Sequence, residues 1–168
     1  MCKKYRIGID AGGTKVAYGL FDADGQLLDR MQHPSDINAD GPAFSDRMIE
    51  TIREIEKKHN LKNEDLQGIG ICMPSYILFD TGYVYLTSAL TNIRDFPMKE
   101  YLQERLPGVK IVLDNDSNAA ALAEYRKGAG RGSRHMIYMA TSTGIGSGII
   151  IDGKLFRGSY GWAGECGH

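Results

Sequence analysis

Two glycine-rich bends and one acidic strand end hold most of the side chains in this 168-residue sequence that can do chemistry. The first bend, Asp10-Ala11-Gly12-Gly13-Thr14-Lys15, lies between two strand-like segments. Its glycines let backbone amides approach an anion closely, while Thr14 adds a hydroxyl donor and Lys15 a positive charge, so the loop can wrap a phosphate. It is not a P-loop, because it lacks Gly-x-x-x-x-Gly-Lys, and not a dinucleotide fingerprint, because it leads into a strand and not a helix. An ordinary tight hairpin with an incidental aspartate would look the same. The second bend, Thr141-Ser142-Thr143-Gly144-Ile145-Gly146-Ser147-Gly148, again mixes hydroxyls with glycines. Two such loops in equivalent places can clasp a polyphosphate, since phosphoryl transfer needs many donors aimed at oxygens and backbone amides supply them without bulk.

The acidic strand end is Leu113-Asp114-Asn115-Asp116-Ser117-Asn118-Ala119-Ala120, where a buried strand meets a helix. A helix cap would account for Asp116 by itself. Asn115 and Asp116 nonetheless project from a strand end, where ligands of α/β sheets usually sit. The helix terminus also favours the charged form of Asp116, leaving it able to accept a hydroxyl proton. Further on, Gly161-Trp162-Ala163-Gly164-Glu165-Cys166-Gly167-His168 offers an acid and an imidazole able to hydrogen-bond neighbouring sugar hydroxyls; a frayed terminus is the plain competitor. Cys166 and His168 do not by themselves make a structural zinc site, and no bound zinc is expected in this chain.

These residues need a framework, and hydropathy supplies one. Tyr5 to Asp10, Lys15 to Phe21 and Gln26 to Met31 read as a three-stranded antiparallel meander, with Asp22-Ala23-Asp24-Gly25 as its second turn. Asp40-Gly41-Pro42 can start a helix in which Phe44, Met48, Ile52 and Ile55 repeat at helical spacing as far as His59. Leu66 to Met73 is a buried strand ended by Pro74, and Ser75 to Phe96 is expected to be irregular. A short helix over Pro97 to Leu106 and a strand over Val109 to Leu113 follow, then a helix capped by Asp116 or Ser117 and stopped by Gly128. His135 to Thr141 and Ile149 to Asp152 are strands joined by a glycine-rich turn over Ser142 to Gly148. That last hairpin repeats the form of the opening, Ile7 to Gly25 against Ile137 to Gly153, which implies an internal duplication and two lobes of related fold. The expected division is a first lobe over residues 1–130 and the start of a truncated second over 131–168, too short to close a core of its own.

Lysine and arginine total 20 against 21 aspartates and glutamates, a formal charge of −1, so no overall positive field would hold nucleic acid or an anionic membrane. Small molecules or another protein are the expected partners. Cys2, Cys72 and Cys166 are odd in number and far apart, which fits free thiols in a reducing compartment. With no apolar leader and no spanning stretch in the sequence, the cytoplasm is the expected location.

With those residues in hand, the chain resembles the ROK family of sugar kinases and related repressors, within the actin-like, hexokinase-like ATPase superfamily. The resemblance rests on Gly8-Ile-Asp-Ala-Gly-Gly-Thr-Lys15, Gly68-Ile-Gly-Ile-Cys-Met-Pro74, Asn115-Asp-Ser-Asn-Ala-Ala120, Gly144-Ile-Gly146 and Ala163-Gly-Glu-Cys-Gly-His168, in family-like order. It implies an α/β, ribonuclease H-like ATPase lobe, a mixed sheet opening with an antiparallel meander and flanked by helices, followed by the first hairpin of an incomplete second lobe. It also implies ATP-dependent phosphorylation of a hexose or hexosamine hydroxyl, with Mg²⁺ bridging the phosphates. In that reading Asp116 is the catalytic base, and Asn115, Asp116, Glu165, His168 and, more weakly, Asn92 contact the sugar. Gly12, Gly13, Thr14, Lys15, Thr143 and Gly144 cradle phosphate, and Asp10 holds the metal through water. His168 would be a zinc ligand in the full-length parent only, and homodimerisation is a family expectation for that parent.

The chain departs from the family at Pro74-Ser75, where proline-glycine is usual, and more mildly at Ser142-Thr143-Gly144. The cysteine-rich zinc motif, the glutamate after it and the adenosine-binding part of the second lobe are absent from the sequence, so the 168-residue chain is expected to be inactive alone. Two other readings stand beside the kinase. One is a sugar-sensing ROK-type transcriptional regulator, which would carry a helix-turn-helix region before the first bend, where only six residues precede Ile7. The other is a non-catalytic actin-like nucleotide-binding module. Glucose, fructose, mannose and N-acetylmannosamine all remain open as substrate.

Overall fold

The computed structural model describes residues 4–141 and 144–167. Its centre is a five-stranded mixed sheet. Strands β1 (Tyr5–Ala11), β2 (Lys15–Phe21) and β3 (Leu27–Pro34) form the expected meander, β3 running three residues further than its apolar pattern suggests. β4 (Leu66–Met73) lies parallel to β1, and β8 (Ile111–Asn115) parallel to β4, giving the order β3-β2-β1-β4-β8. All three parallel strands end at the same edge, and the bend after β1 and the start of the helix after β8 therefore lie side by side.

Alternation along these strands divides the sheet into two unlike faces. Ile7, Ile9 and Ala11 of β1, Ile69, Ile71 and Met73 of β4, and Ile111 and Leu113 of β8 are buried in the main core. Helix α1 (Gly41–His59) covers that face with Phe44, Met48, Ile52 and Ile55, as the helical spacing predicts. Asp40 caps it, its Oδ1 accepting the Ala43 N–H at 2.9 Å, and Asn60 ends it in the left-handed region at φ 53°. Helix α2 (Met98–Arg105) adds Met98 and Leu102 to the same core. The opposite residues, Gly8 and Asp10, Gly70 and Cys72, Val112 and Asp114, line a cleft of about 950 Å³. Helix α3 (Asp116–Lys127) borders that cleft through Asp116, Ser117, Ala119 and Ala120. Chemistry-bearing side chains thus sit on the face that hydrophobic packing leaves open.

The segment from Ser75 to Phe96, expected to be irregular, forms a second sheet of β5 (Ser75–Leu78), β6 (Tyr83–Thr87) and β7 (Arg94–Phe96). Each strand is short, and with Ser75 and Thr87 buried while Tyr85 and Leu86 are exposed no hydropathy period shows; cross-strand pairing such as Ser75 opposite Thr87 does what local pattern does not. The third sheet comprises β9 (Met136–Thr141), β10 (Ile145–Ile151) and β11 (Lys154–Phe156). Its order β11-β10-β9 repeats the β3-β2-β1 meander of the opening. β10 starts earlier than expected, at Ile145, so Gly146 and Gly148 belong to a strand and not to a turn.

The reason lies in packing against α3. A Cβ on Gly148 would stand 2.4 Å from the Ala121 Cβ and 2.8 Å from the Ser117 carbonyl, and one on Gly146 would stand 2.2 Å from the Ser117 Oγ. Those two glycines admit a helix. Gly144 differs, since a Cβ there would meet nothing within 4 Å. Among the described residues no helix is long and apolar enough to cross a membrane.

Candidate functional site

The ladder register brings the acidic groups together. Asp10 of β1 stands opposite Cys72 of β4, and Cys72 opposite Asp114 of β8, all on the open face. The Cys72 thiol lies 3.8 Å from the Asp10 Oδ1 and 3.6 Å from the Ile9 carbonyl. Burial, then the charges of Asp10 and Asp116, push that thiol up to about 12, so it stays protonated as a small neutral spacer between carboxylates.

Asp116 is the first residue of α3 and is half-buried. Its Oδ1 accepts the Ser117 N–H at 2.8 Å. Burial raises its pKa above the ordinary carboxylate value and the nearby Asp10 charge adds to the rise, while the Ser117 N–H opposes both. The helix-end N–H does favour the charged form of Asp116, as expected, but desolvation by burial outweighs it.

The cap itself is corrected. Neither Asp116 nor Ser117 caps α3; Asn115 does, its Oδ1 accepting the N–H of Ser117 at 2.8 Å and of Asn118 at 3.3 Å. That leaves the Asn115 Nδ2, which donates to the Ser75 carbonyl at 3.1 Å and to the Glu165 Oε1 at 3.3 Å. Ser75 donates its hydroxyl to the Met73 carbonyl at 3.0 Å. Glu165 is held in place by a tight turn. Gly164 has φ +103° and a Cβ there would stand 2.4 Å from the Ser147 carbonyl, while the Ser147 Oγ donates to the Gly164 carbonyl at 2.7 Å. Strand β10 thereby fastens Glu165 beside Asn115, fifty residues earlier in the sequence.

The first bend is narrower than its glycines suggest. The Gly12 N–H is spent on the Lys15 carbonyl at 3.0 Å, and a Cβ on Gly13 would collide with Ala89 at 2.6 Å. Gly13 is therefore required by packing whatever else it does. Thr14 and Lys15 are exposed, as is Asp10. Asn92, expected among the sugar contacts, is exposed and donates to the Asn38 carbonyl at 2.8 Å, outside the Asn115–Glu165 pair. Thr143 and His168 lie outside the described residues.

Sequence reasoning passed over Asp114 and Arg157. Asp114 accepts the Asn115 N–H at 2.9 Å and the Asn118 Nδ2 at 3.0 Å, and its other oxygen pairs with Arg157 at 2.6 Å. The one available signal was an aspartate at the inward end of an otherwise apolar strand.

Comparison with known proteins gives the family. The ROK family profile matches residues 6–168. A glucokinase from Halalkalibacterium halodurans is 35% identical over an alignment of 172 residues, which takes in 100% of this chain and 50% of that protein. A xylose repressor from Bacillus spizizenii is 34% identical, over 98% of this chain and 42% of the repressor. Among solved structures, a ROK family glucokinase from Streptomyces griseus, in complex with glucose and AMPPNP, superposes with a TM-score of 0.81 at 34% identity, covering 98% of this chain and 50% of that one. The chain spans about half the length of the relatives it matches. A family profile matched from Arg6 onward, on an actin-like α/β fold whose acidic cleft lies at the ends of its parallel strands, makes this chain a member of the ROK family.

Proposed function

We propose that the full-length protein containing these residues transfers the γ-phosphoryl group of ATP to a hexose or hexosamine hydroxyl, with Asp116 as the catalytic base. The observation that carries this reading is the environment of Asp116: half-buried, in the field of Asp10, and followed by Ser117, which abuts Gly146 of β10. A carboxylate with a raised pKa is a better acceptor for a sugar hydroxyl proton than a fully solvated one. Asn115 and Glu165 would bind the sugar, each offering its hydroxyls donor or acceptor atoms beside the hydrogen bond that holds the two side chains together. Glucose is the sugar in the similar Streptomyces griseus complex, and it heads the panel to be tried.

Gly144, exposed with open space over it, would receive phosphate together with Gly12, Gly13, Thr14, Lys15 and Thr143. Asp10, exposed at the end of β1, would hold Mg²⁺ through water, with the phosphate oxygens as the ion's other ligands. When bound, that ion would neutralise charge developing on the phosphates. The 168-residue chain alone is proposed to be inactive, and the full-length protein to work in the cytoplasm on sugar and ATP without nucleic acid.

The test is ATP turnover by the full-length protein over a panel of glucose, fructose, mannose and N-acetylmannosamine, beside Asp116→Asn. Turnover should fall at least about 100-fold in the variant while sugar affinity stays within a few-fold. Undiminished turnover removes Asp116 from the base role. A second reading, a sugar-responsive repressor, is favoured by the 34% identity to the xylose repressor; sugar-dependent release of DNA with no turnover on any sugar would establish it instead.

A further inference from the structure

Arg157 follows β11 and belongs to none of the motifs discussed so far. Its guanidinium reaches from the third sheet to the first, where Nη2 donates to the Asp114 Oδ2 at 2.6 Å. The guanidinium carbon stands 3.5 Å from the centre of the Phe79 ring. Both charged side chains are largely withdrawn from water, Arg157 being 25% and Asp114 16% exposed. The other Asp114 oxygen holds the Asn115 N–H and the Asn118 amide, so the carboxylate that Arg157 grips is the one that fixes the entry into α3.

Arg157 also acts in the opposite direction. Its backbone carbonyl accepts the Ala163 N–H at 3.0 Å, which closes the loop that carries Glu165. One residue therefore touches both halves of the Asn115–Glu165 pair: strand β8 through its side chain, and the Glu165 loop through its main chain. A planar guanidinium suits this place better than an ammonium, because it can lie flat on Phe79 while its edge meets a carboxylate.

We propose that Arg157 is a positioning residue that sets the spacing between the Asn115–Asp116 corner and the Glu165 loop. This rests on the kinase reading for its catalytic consequence, but not for its structural one. Removing the side chain would free Asp114 to turn toward water, and the start of α3 would lose its fixed relation to the loop. Misplacement on the order of 1 Å is enough to cost about 100-fold in rate.

The experiment uses the full-length protein with Arg157→Met, Asp114→Asn and the double variant, with Phe79→Leu as a milder perturbation that leaves the ion pair in place. Hydrogen exchange is followed by mass spectrometry alongside turnover. Expected are faster exchange in residues 115–118 and 163–166 with β1–β3 unchanged, a kcat loss of about 10- to 100-fold with the KM for ATP within about twofold, and a double variant no worse than the poorer single one. Phe79→Leu should shift the same two segments to a smaller extent. Unchanged exchange in either segment, or losses that multiply in the double variant, overturns the proposal. If exchange responds as expected but the parent protein phosphorylates no sugar, the clamp stands and the kinase reading fails.

Discussion

Replacing Gly148 by alanine isolates what the glycines of β10 are for. An alanine Cβ there would stand 2.4 Å from the Ala121 Cβ, 2.8 Å from the Ser117 carbonyl and 3.3 Å from the Asn118 Cα. Two of these three neighbours are backbone of α3, which cannot turn aside as the end of a long side chain can. Carbon–carbon contact is relieved only near 3.5 Å, so α3 or β10 must move by roughly 1 Å. Overpacking of this kind costs about 1–3 kcal/mol. At about 2–4 °C per kcal/mol for a chain of this size, the melting temperature should fall by about 2–12 °C. The control is Gly144→Ala, where a Cβ meets nothing within 4 Å and no positive φ stands in the way, so its melting temperature should stay within about 1 °C of the parent. Calorimetry or thermal circular dichroism on the two variants decides the matter. In the full-length protein the two should also separate by kinetics: Gly148→Ala lowers kcat by displacing Asp116, whereas Gly144→Ala raises the KM for ATP. A Gly148→Ala protein as stable as its parent would refute the idea that this strand is bare in order to admit a helix.

Two further outcomes follow from the electrostatics. Because the fold raises the pKa of Asp116, the base form is lost as pH falls through that raised value, and the acid limb of kcat should lie above the ordinary carboxylate range; the same shift means the fold favours the protonated acid, so stability conferred by Asp116 declines as pH rises through that window and Asp116→Asn should melt no lower than the parent near neutrality. A limb at an unperturbed carboxylate value would contradict the burial argument. The Cys72 thiol, pushed up to about 12, should resist iodoacetamide at neutral pH while exposed Cys166 is alkylated, as peptide mass spectrometry would report; equal labelling would mean the acidic face opens readily to solvent.

Much of this protein was readable from its sequence because the readable parts are locally determined. The β1–β2 hairpin, the buried β4 and the capped α1 follow from alternation, a continuous apolar run and an Asp-Gly-Pro start, and the structure places each within a residue or two of expectation. The family resemblance gave Asn115 and Glu165 a shared sugar; the fold shows the hydrogen bond between them and brings the charge of Asp10 to bear on Asp116. The small sheet over Ser75–Phe96 was not legible, because its strands are stabilised by pairing partners and not by their own periodicity.

Sequence alone determined which residue types could bind phosphate or take a proton and which family they suggest. Tertiary structure decided what each of them is free to do. It spent Gly146 and Gly148 on helix packing, gave the α3 cap to Asn115 in place of Asp116 or Ser117, set burial against the helix-end hydrogen bond at Asp116 and introduced Arg157 as a link between distant segments. The physical reason is common to all four: close approach, desolvation and ion pairing depend on what lies across a gap in space, and a linear pattern records only what lies next along the chain.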